Sequence, residues 1–299
     1  SAEETWQFIA DDLDFAANNL PKEWDAANKG RITKGAAYAL KSRAMLYAKR
    51  WQDAYDAANN VIALKLYGLT DKYEDAWKGN NKEAILEFDY DAANGPNHLF
   101  DRYYVPQCDG YDNGSTGTPT QEMVECYESK NGEKIDRSNS SQLAKGALPL
   151  KYGMDPDMKD GQSGIDVVIY RYADVLLTLA ECINRNEGSP TTEAIGLVNR
   201  VRKRAGLSEL DDAQTASGEA FNETILLERG HEFYLEGLRR QDLIRFGKYV
   251  EYANNRIDAI NKSEGRGYFN VHEGHNRFWI PQSFIDESKG AIKQNDYDR

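Results

Sequence analysis

The residues best suited to recognise a ligand lie in one irregular segment, from Asn94 to Gly114, with the sequence NGPNHLFDRYYVPQCDGYDNG. Aromatic rings alternate there with short polar side chains. A ring can stack on the apolar face of a sugar, while carboxylate, amide or guanidinium groups bond its hydroxyl rim. The segment therefore predicts a binding site with three stacking platforms and three polar groups: Tyr103, Tyr104, Tyr111, Arg102, Asp109 and Asn113. The alternative for each tyrosine is structural, with its ring and hydroxyl pinning the loop to the frame.

A second notable segment runs from Leu226 to Lys248. Acidic residues and arginines alternate there with apolar residues at helical spacing, in the sequence LLERGHEFYLEGLRRQDLIRFGK. Glu228 and Glu232 are one helical turn apart, as are Glu236 and Arg240, so we expect charged side chains to pair along one face. The planar guanidinium group of arginine suits carboxylates through two parallel bonds. We interpret this segment as a scaffold network without chemistry of its own.

The common enzyme signatures are missing from the sequence. His231 and Glu232 begin a zinc-protease HE pattern, but the position of the second zinc ligand is Leu235, which excludes that class. The GQSG run at 161–164 lacks the spacing of a nucleophile elbow, and no glycine-rich phosphate loop leads into a helix with lysine. Glycoside cleavage by paired carboxylates stays open as an alternative, because the separation of two carboxylates is a property of the fold.

Two segments imitate metal sites without completing them. His272, Glu273 and His275 form a short HEGH run that lacks a fourth ligand, so we expect surface histidines there. The run DPDMKDG at 155–161 resembles the start of a calcium loop, but Lys159 replaces an oxygen ligand. We predict neither a metal nor a cofactor.

The three cysteines carry little information about function. Cys182 lies within an apolar helical pattern and is expected to be a small buried hydrophobe. Cys108 and Cys126 lie in or beside loops and are candidates for a disulfide in an oxidising compartment.

The composition narrows the class of ligand. The chain has 299 residues and a formal net charge of −12, which argues against a nucleic-acid partner because phosphate binding relies on clustered lysine and arginine. With 18 Tyr and 5 Trp, an acidic, ring-rich surface suits neutral ligands. No apolar run approaches the roughly 20 residues that a membrane-spanning helix requires.

Helical periodicity dominates both ends of the chain. It predicts a helix over residues 3–19, a hairpin from Ala36 to Ile62 capped by Thr33, and a second hairpin from Tyr172 to Arg204. Both hairpins have the style of a tetratricopeptide repeat. Between them, a short strand at 84–90 precedes a long loop-rich stretch at 91–164. The sequence therefore predicts an all-α fold of tetratricopeptide-like hairpins with a loop-rich insertion that presents the binding surface.

Four segments resemble those of the SusD/RagB family, the surface lipoproteins with which Bacteroidetes-type bacteria capture glycans or peptides. The run ERGHEFYLEGLRRQDLIRFGK resembles the family's signature helix. Similar matches, in the expected order, are AAYALKSRAMLYAKRWQDAYDAANNVI at 36–62, YRYADVLLTLAECINRNEG with AIGLVNRVRKRAGL at 170–207, and FWIPQSFIDESKGAIKQNDY at 278–297.

The resemblance implies a single SusD/RagB-like helical domain over 1–299 that lacks an upstream, lipid-anchored portion, with 91–164 as a ligand-facing insertion. It implies non-catalytic binding of oligosaccharides at the surface of the outer membrane, and delivery to a TonB-dependent, SusC-like transporter. Two alternatives stay open: a peptide-binding or structural partner of such a transporter, and a glycoside hydrolase.

Overall fold

The computed structural model describes residues 1–100, 119–127, 151–153, 155, 157 and 162–295. The chain divides into two compact units, Ser1–Glu236 and Gly237–Arg299, called unit 1 and unit 2 below. In the described part of the chain, no helix is both long enough and apolar enough to cross a bilayer. The prediction of one domain over 1–299 stays a prediction.

Unit 1 consists mainly of helices, which confirms the predicted all-α fold. Its elements in chain order are α1 (Ala2–Asn19), α2 (Lys34–Tyr47), α3 (Trp51–Ala63), β1 (Ala84–Phe88), α4 (Gln121–Glu125), β2 (Val167–Arg171), α5 (Tyr172–Glu187), α6 (Thr192–Arg204) and α7 (Gly218–Glu232). Short 3₁₀ turns occur at Ala26–Asn28 and Tyr73–Asp75.

Side-chain caps fix where the first helices begin. The Ser1 hydroxyl accepts from the Glu4 amide while the Glu4 side chain reaches back to the amino terminus, so α1 opens with a capping box. The Thr33 hydroxyl accepts from the Ala36 amide at 3.3 Å, which confirms the predicted cap of α2. These caps satisfy backbone donors that the first helical turn leaves without partners.

Helix α5 is the centre of unit 1, because every residue from Tyr172 to Asn184 is buried. It packs against α3, α6 and α7, while α2 packs against α1 and α3. The hairpins α2–α3 and α5–α6 are the two that the periodicity predicts. Small side chains allow the close approach in the first hairpin, where Ser42, Ala54 and Ala58 are fully buried.

A two-stranded antiparallel sheet joins the first hairpin to α5. In it β1 pairs with β2, with Ala84 opposite Arg171 and a register irregularity before Leu86 opposite Tyr170. The predicted strand is confirmed, although it ends at Phe88, whereas β2 was not predicted. Since α5 begins directly after Arg171, the sheet sets the position of that arginine at the first turn of the central helix.

The segment Leu226–Lys248 is not a continuous helix, so the expected pairing of Glu236 with Arg240 along one face is wrong. Helix α7 ends at Glu232, and the next helix, α8, begins at Arg239. Leu235 and Gly237 between them have φ values of 63° and 77°, in the left-handed region that breaks a right-handed helix. The turn directs Glu236 into unit 1, where it meets partners from distant segments.

Unit 2 contains α8 (Arg239–Arg245), α9 (Tyr249–Glu264), a 3₁₀ turn at Glu273–Asn276 and α10 (Gln282–Glu287). Two asparagine side chains of α9 bind the backbone of the segment that follows this helix. The Asn254 amide group exchanges two hydrogen bonds with the Val271 backbone, at 2.9 and 2.7 Å, and Asn261 does the same with Tyr268, at 2.8 Å for both bonds. Between these two clamps the ring of Phe269 is 92% exposed.

Candidate functional site

The six residues predicted to contact a ligand lie outside the described residues. They are Arg102, Tyr103, Tyr104, Asp109, Tyr111 and Asn113. Their assignment stays a prediction, as does a disulfide from Cys108 to Cys126. The structure does describe the residues before this segment, and those residues show how its base is held.

The chain leading into the predicted binding loop is tied down by hydrogen bonds. The Asp91 carboxylate accepts from the amides of Ala93 and Asn94, at 2.8 and 3.0 Å, which closes a tight turn. His98 and Ser163 exchange backbone hydrogen bonds at 3.1 and 2.7 Å, so they form an antiparallel bridge. The described chain is therefore held in place up to Phe100.

A row of aromatic rings includes His98 and Phe100 and continues from them within unit 1. It consists of six residues in edge-to-face contact with their neighbours, at centroid distances between 4.6 and 6.2 Å: Tyr90, His98, Phe100, Tyr152, Trp77 and Tyr73. Rings that pack edge to face gain about 0.5–1.5 kcal/mol per pair beyond their area burial. A cavity of about 90 Å³, partly lined by His98, Phe100 and Tyr152, borders the row. These rings are structural, and they connect the base of the loop to the core.

The Lys151 ammonium group is buried at the inner end of the aromatic row. It lies 5.2 Å from the Trp77 ring, 5.3 Å from that of Tyr73 and 5.7 Å from that of Tyr152. It also donates to the Glu236 carboxylate and, at 3.1 Å, to the Glu232 carbonyl. Burial lowers the pKa of Lys151 to about 8, although the attraction of Glu236 works in the opposite direction.

Lys151 belongs to a buried group of three cations and three carboxylates, called the ionic cluster below: Glu83, Lys151, Arg171, Arg204, Glu232 and Glu236. Arg171 is its centre. One guanidinium nitrogen donates to Glu83 at 2.8 Å and also to Glu232, and two others donate to Glu236 at 2.7 and 3.0 Å. Arg204 bonds Glu83 at 2.9 Å and also Glu232.

The ionic cluster is a scaffold element, because its charges balance and each carboxylate is bound to a guanidinium group. Burial alone would raise the pKa of Glu236, but Arg171 and Lys151 lower it overall, so the carboxylate stays ionised. A catalytic acid for glycoside cleavage needs a raised pKa. The interpretation of Leu226–Lys248 as scaffold agrees with these contacts. Sequence reasoning missed Glu83, Lys151, Arg171 and Arg204 as partners, because their spacing along the chain gives no sign of contact.

A second buried ion group fixes α5 against α2 and α7. Asp174, at 1% exposure, accepts from Arg43 at 2.7 Å and from Arg229 at 2.6 Å. Burial would raise the pKa of Asp174, but the two arginines outweigh it and hold the pKa well below its usual range. This group also is structural.

The described residues suggest one place where carboxylates could hold a cation. One carboxylate oxygen each from Glu87, Asp89 and Asp166 lie within 4.8 Å of one another. Burial, together with the nearby Asp166 and Asp89 charges, raises the pKa of Glu87. Asp89 is exposed, and exposed acidic groups are common in proteins that bind no metal at them. The cluster by itself does not specify a metal.

The segments that imitate metal sites have other roles. The ring of His272 accepts from the Gly274 amide and that of His275 from the His272 amide, both at 3.2 Å, so the two histidines cap a 3₁₀ turn. Asp155 accepts from the amides of Asp157 and Gly164, at 2.9 and 2.6 Å. The remaining positions of the calcium-like loop, 156 and 158–161, lie outside the described residues.

Comparison with known proteins gives consistent matches. The model of the SusD family matches residues 150–297. A SusD-like protein of Bacteroides ovatus is 26% identical over 91% of this chain and 58% of its own length. The starch-binding protein SusD of Bacteroides thetaiotaomicron is 32% identical over 50% of this chain and 23% of its own length. The chain thus spans less than two thirds of the length of these relatives.

Solved structures share the fold. A SusD-like protein of Bacteroides fragilis superposes with a TM-score of 0.71, at 24% identity, covering 99% of this chain and 71% of that one. Surface glycan-binding protein A of Bacteroides thetaiotaomicron in complex with laminarihexaose gives a TM-score of 0.74 at 24% identity, with the same coverage of both chains. At this identity the likeness concerns the fold alone.

Proposed function

Because the chain belongs to the SusD family, we propose that it binds oligosaccharides without cleaving them. The observation that carries this proposal is the rigid base of the loop at Asn94–Gly114. An antiparallel bridge and a row of packed rings hold the chain up to Phe100. Because the described chain is already held up to Phe100, this part of the segment has less conformational entropy to lose on binding, which favours recognition.

Within the ionic cluster, the pairing of the acids supports a structural role over a catalytic one. In the ionic cluster, Glu83, Glu232 and Glu236 are each bound to arginine and buried. Two similar proteins are themselves named for glycan binding: one is named for starch, and the other, surface glycan-binding protein A, was solved in complex with laminarihexaose. We extend this ligand class, and not either particular glycan, to the present chain.

The same family membership supports a proposal for the place of action. We propose that the full-length protein is lipid-anchored at the outer face of the outer membrane and delivers its ligand to a TonB-dependent, SusC-like transporter. The net charge of −12 fits neutral glycans better than anionic polymers, since like charges repel.

Calorimetric titration with laminarihexaose, maltoheptaose and other neutral oligosaccharides tests the binding proposal. The triple variant Tyr103→Ala/Tyr104→Ala/Tyr111→Ala should weaken binding by about 1–3 kcal/mol for each true platform. A matched control removes two exposed rings of α1, Phe8 and Phe15, and should bind as the wild type does.

Three outcomes would count against the proposal, two from the titrations and one from an assay of reducing ends. Unchanged binding by the triple variant would refute the site, and release of reducing ends from any glycan would refute the non-catalytic role. No binding across the glycan panel, together with binding of peptides, would favour the peptide-binding alternative.

A further inference from the structure

A second cavity, of about 220 Å³, lies in unit 1 beside the ends of helices α6 and α7. Its apolar side comes from α6 and the residues that follow it: Val201, Ala205 and Leu207. Ala205, which caps the end of α6, is exposed, so the cavity is open to solvent on this side. Such a wall suits the C–H face of a ring.

Two acidic residues, Glu228 and Glu232, also line the cavity, and each is about 95% or more buried. Arg202 binds Glu228, and Arg171 and Arg204 bind Glu232. Because these charges are neutralised internally, an ionic ligand would bring an unbalanced charge into the site. A carboxylate offers about four acceptor positions, so paired carboxylates still accept from a neutral donor such as a hydroxyl group.

Hydrogen bonds fix the rings that line the cavity. The Tyr73 hydroxyl donates to the Glu232 carbonyl at 2.7 Å, and the Tyr127 hydroxyl donates to the His231 carbonyl at 3.1 Å. The rings of Tyr127 and His231 also stack, with centroids 4.6 Å apart and an angle of 28° between their planes. Because these contacts hold the rings in place without a ligand, binding costs less side-chain conformational entropy.

The volume selects the size of the ligand. Pockets for drug-sized molecules measure about 300–1,000 Å³, so 220 Å³ accommodates one ring and not a chain of them. We propose that this cavity binds a single neutral sugar ring, as a site built from residues other than those predicted for the loop at Asn94–Gly114. The choice of a sugar rests on the proposed function, whereas the neutral, one-ring character of the ligand rests on the cavity.

Saturation-transfer NMR with glucose, galactose, mannose and N-acetylglucosamine tests the site in the full chain. Replacing Ala205 by Trp fills the open side while leaving every charged residue in the sequence, and should weaken binding at least tenfold. The control Ala63→Trp changes an exposed alanine at the end of α3 and should leave binding unchanged. If Ala205→Trp does not fold, as judged by circular dichroism, Leu207→Trp fills the same cavity from the loop after α6.

Three outcomes would overturn the proposal: no signal from any of the four sugars, equal binding by the filled variant, or binding of neutral tyrosine amide in place of every sugar. The last outcome would indicate a pocket for a peptide side chain. The triple tyrosine variant of the loop separates the two sites, because it should keep the monosaccharide signal while losing oligosaccharide affinity. If the triple tyrosine variant instead loses the monosaccharide signal, the sugar ring binds in the loop, which would refute the cavity proposal and leave the proposed function intact.

Discussion

Raising the pH from 7 to 9.5 should stabilise this protein against unfolding, because of Lys151. Its ammonium group is buried in the ionic cluster, and burial lowers its pKa to about 8 from the usual value of 10.5. Between these two values the folded protein has released a proton that the unfolded chain still holds. The free energy of unfolding must then increase with pH, and the stabilisation is lost as the pH falls through 8.

The magnitude follows from the same two pKa values. A difference of one pKa unit between the folded and unfolded states corresponds to about 1.4 kcal/mol. With a pKa of about 8 in the folded protein and 10.5 in the unfolded chain, the free energy of unfolding should rise by roughly 2 kcal/mol between pH 7 and 9.5. The pH range ends at 9.5, below the usual tyrosine pKa of 10, because three buried tyrosines would otherwise affect the result. Burial raises the pKa of Tyr73, Tyr152 and Tyr170 in the folded protein. Above pH 10 these residues act in the opposite direction.

Urea denaturation at intervals of half a pH unit and constant ionic strength provides the assay. The variant Lys151→Met keeps most of the side-chain volume and removes the titrating amine, so its unfolding free energy should stay flat over the same range. A flat wild-type profile, or an equal rise in the wild type and in Lys151→Met, would show that the amine does not titrate in the folded state as proposed.

Three further predictions concern individual contacts. Glu83→Gln keeps the shape of a fully buried side chain but removes the charge that faces Arg171, so urea denaturation should show a loss of about 3–5 kcal/mol. Asp174→Asn should cost a similar amount at pH 7 and flatten the acid limb of the stability profile, because the lowered pKa of Asp174 makes the wild type lose stability as the pH falls below about 4. Asn254→Ala removes both bonds to Val271 and should destabilise unit 2 by about 1–3 kcal/mol, with faster hydrogen exchange at the Val271 amide; a substitution at the exposed Phe269 serves as the control.

Much of the helical frame was predictable because its determinants are local. The cap at Thr33 and the apolar spacing from Ala36 to Ile62 lie within a few residues of the structure they produce, and both predictions hold. The strand β2 was missed because Val167–Tyr170 precedes a helix directly, without a turn signal to separate the two.

The contacts of the ionic cluster were beyond the reach of spacing arguments. Glu83 lies 88 residues before Arg171, and Glu236 lies 65 residues after it. The local spacing of Glu236 and Arg240 indicated a different pair, but the left-handed backbone at Leu235 interrupts the helix. A leucine there gives no sequence signal for such a turn, since glycine is the residue that usually adopts it. The predicted ligand residues between Arg102 and Asn113 remain untested.

The position of Glu83 has a consequence for any truncation of this chain. The match to the SusD family begins at residue 150, yet the arginine at the heart of the ionic cluster takes one carboxylate from Glu83, far upstream of that boundary. A fragment that starts at residue 150 would leave Arg171 and Arg204 inside the protein with one counter-charge too few. We therefore expect a fragment cut at that boundary to be less stable than the full chain.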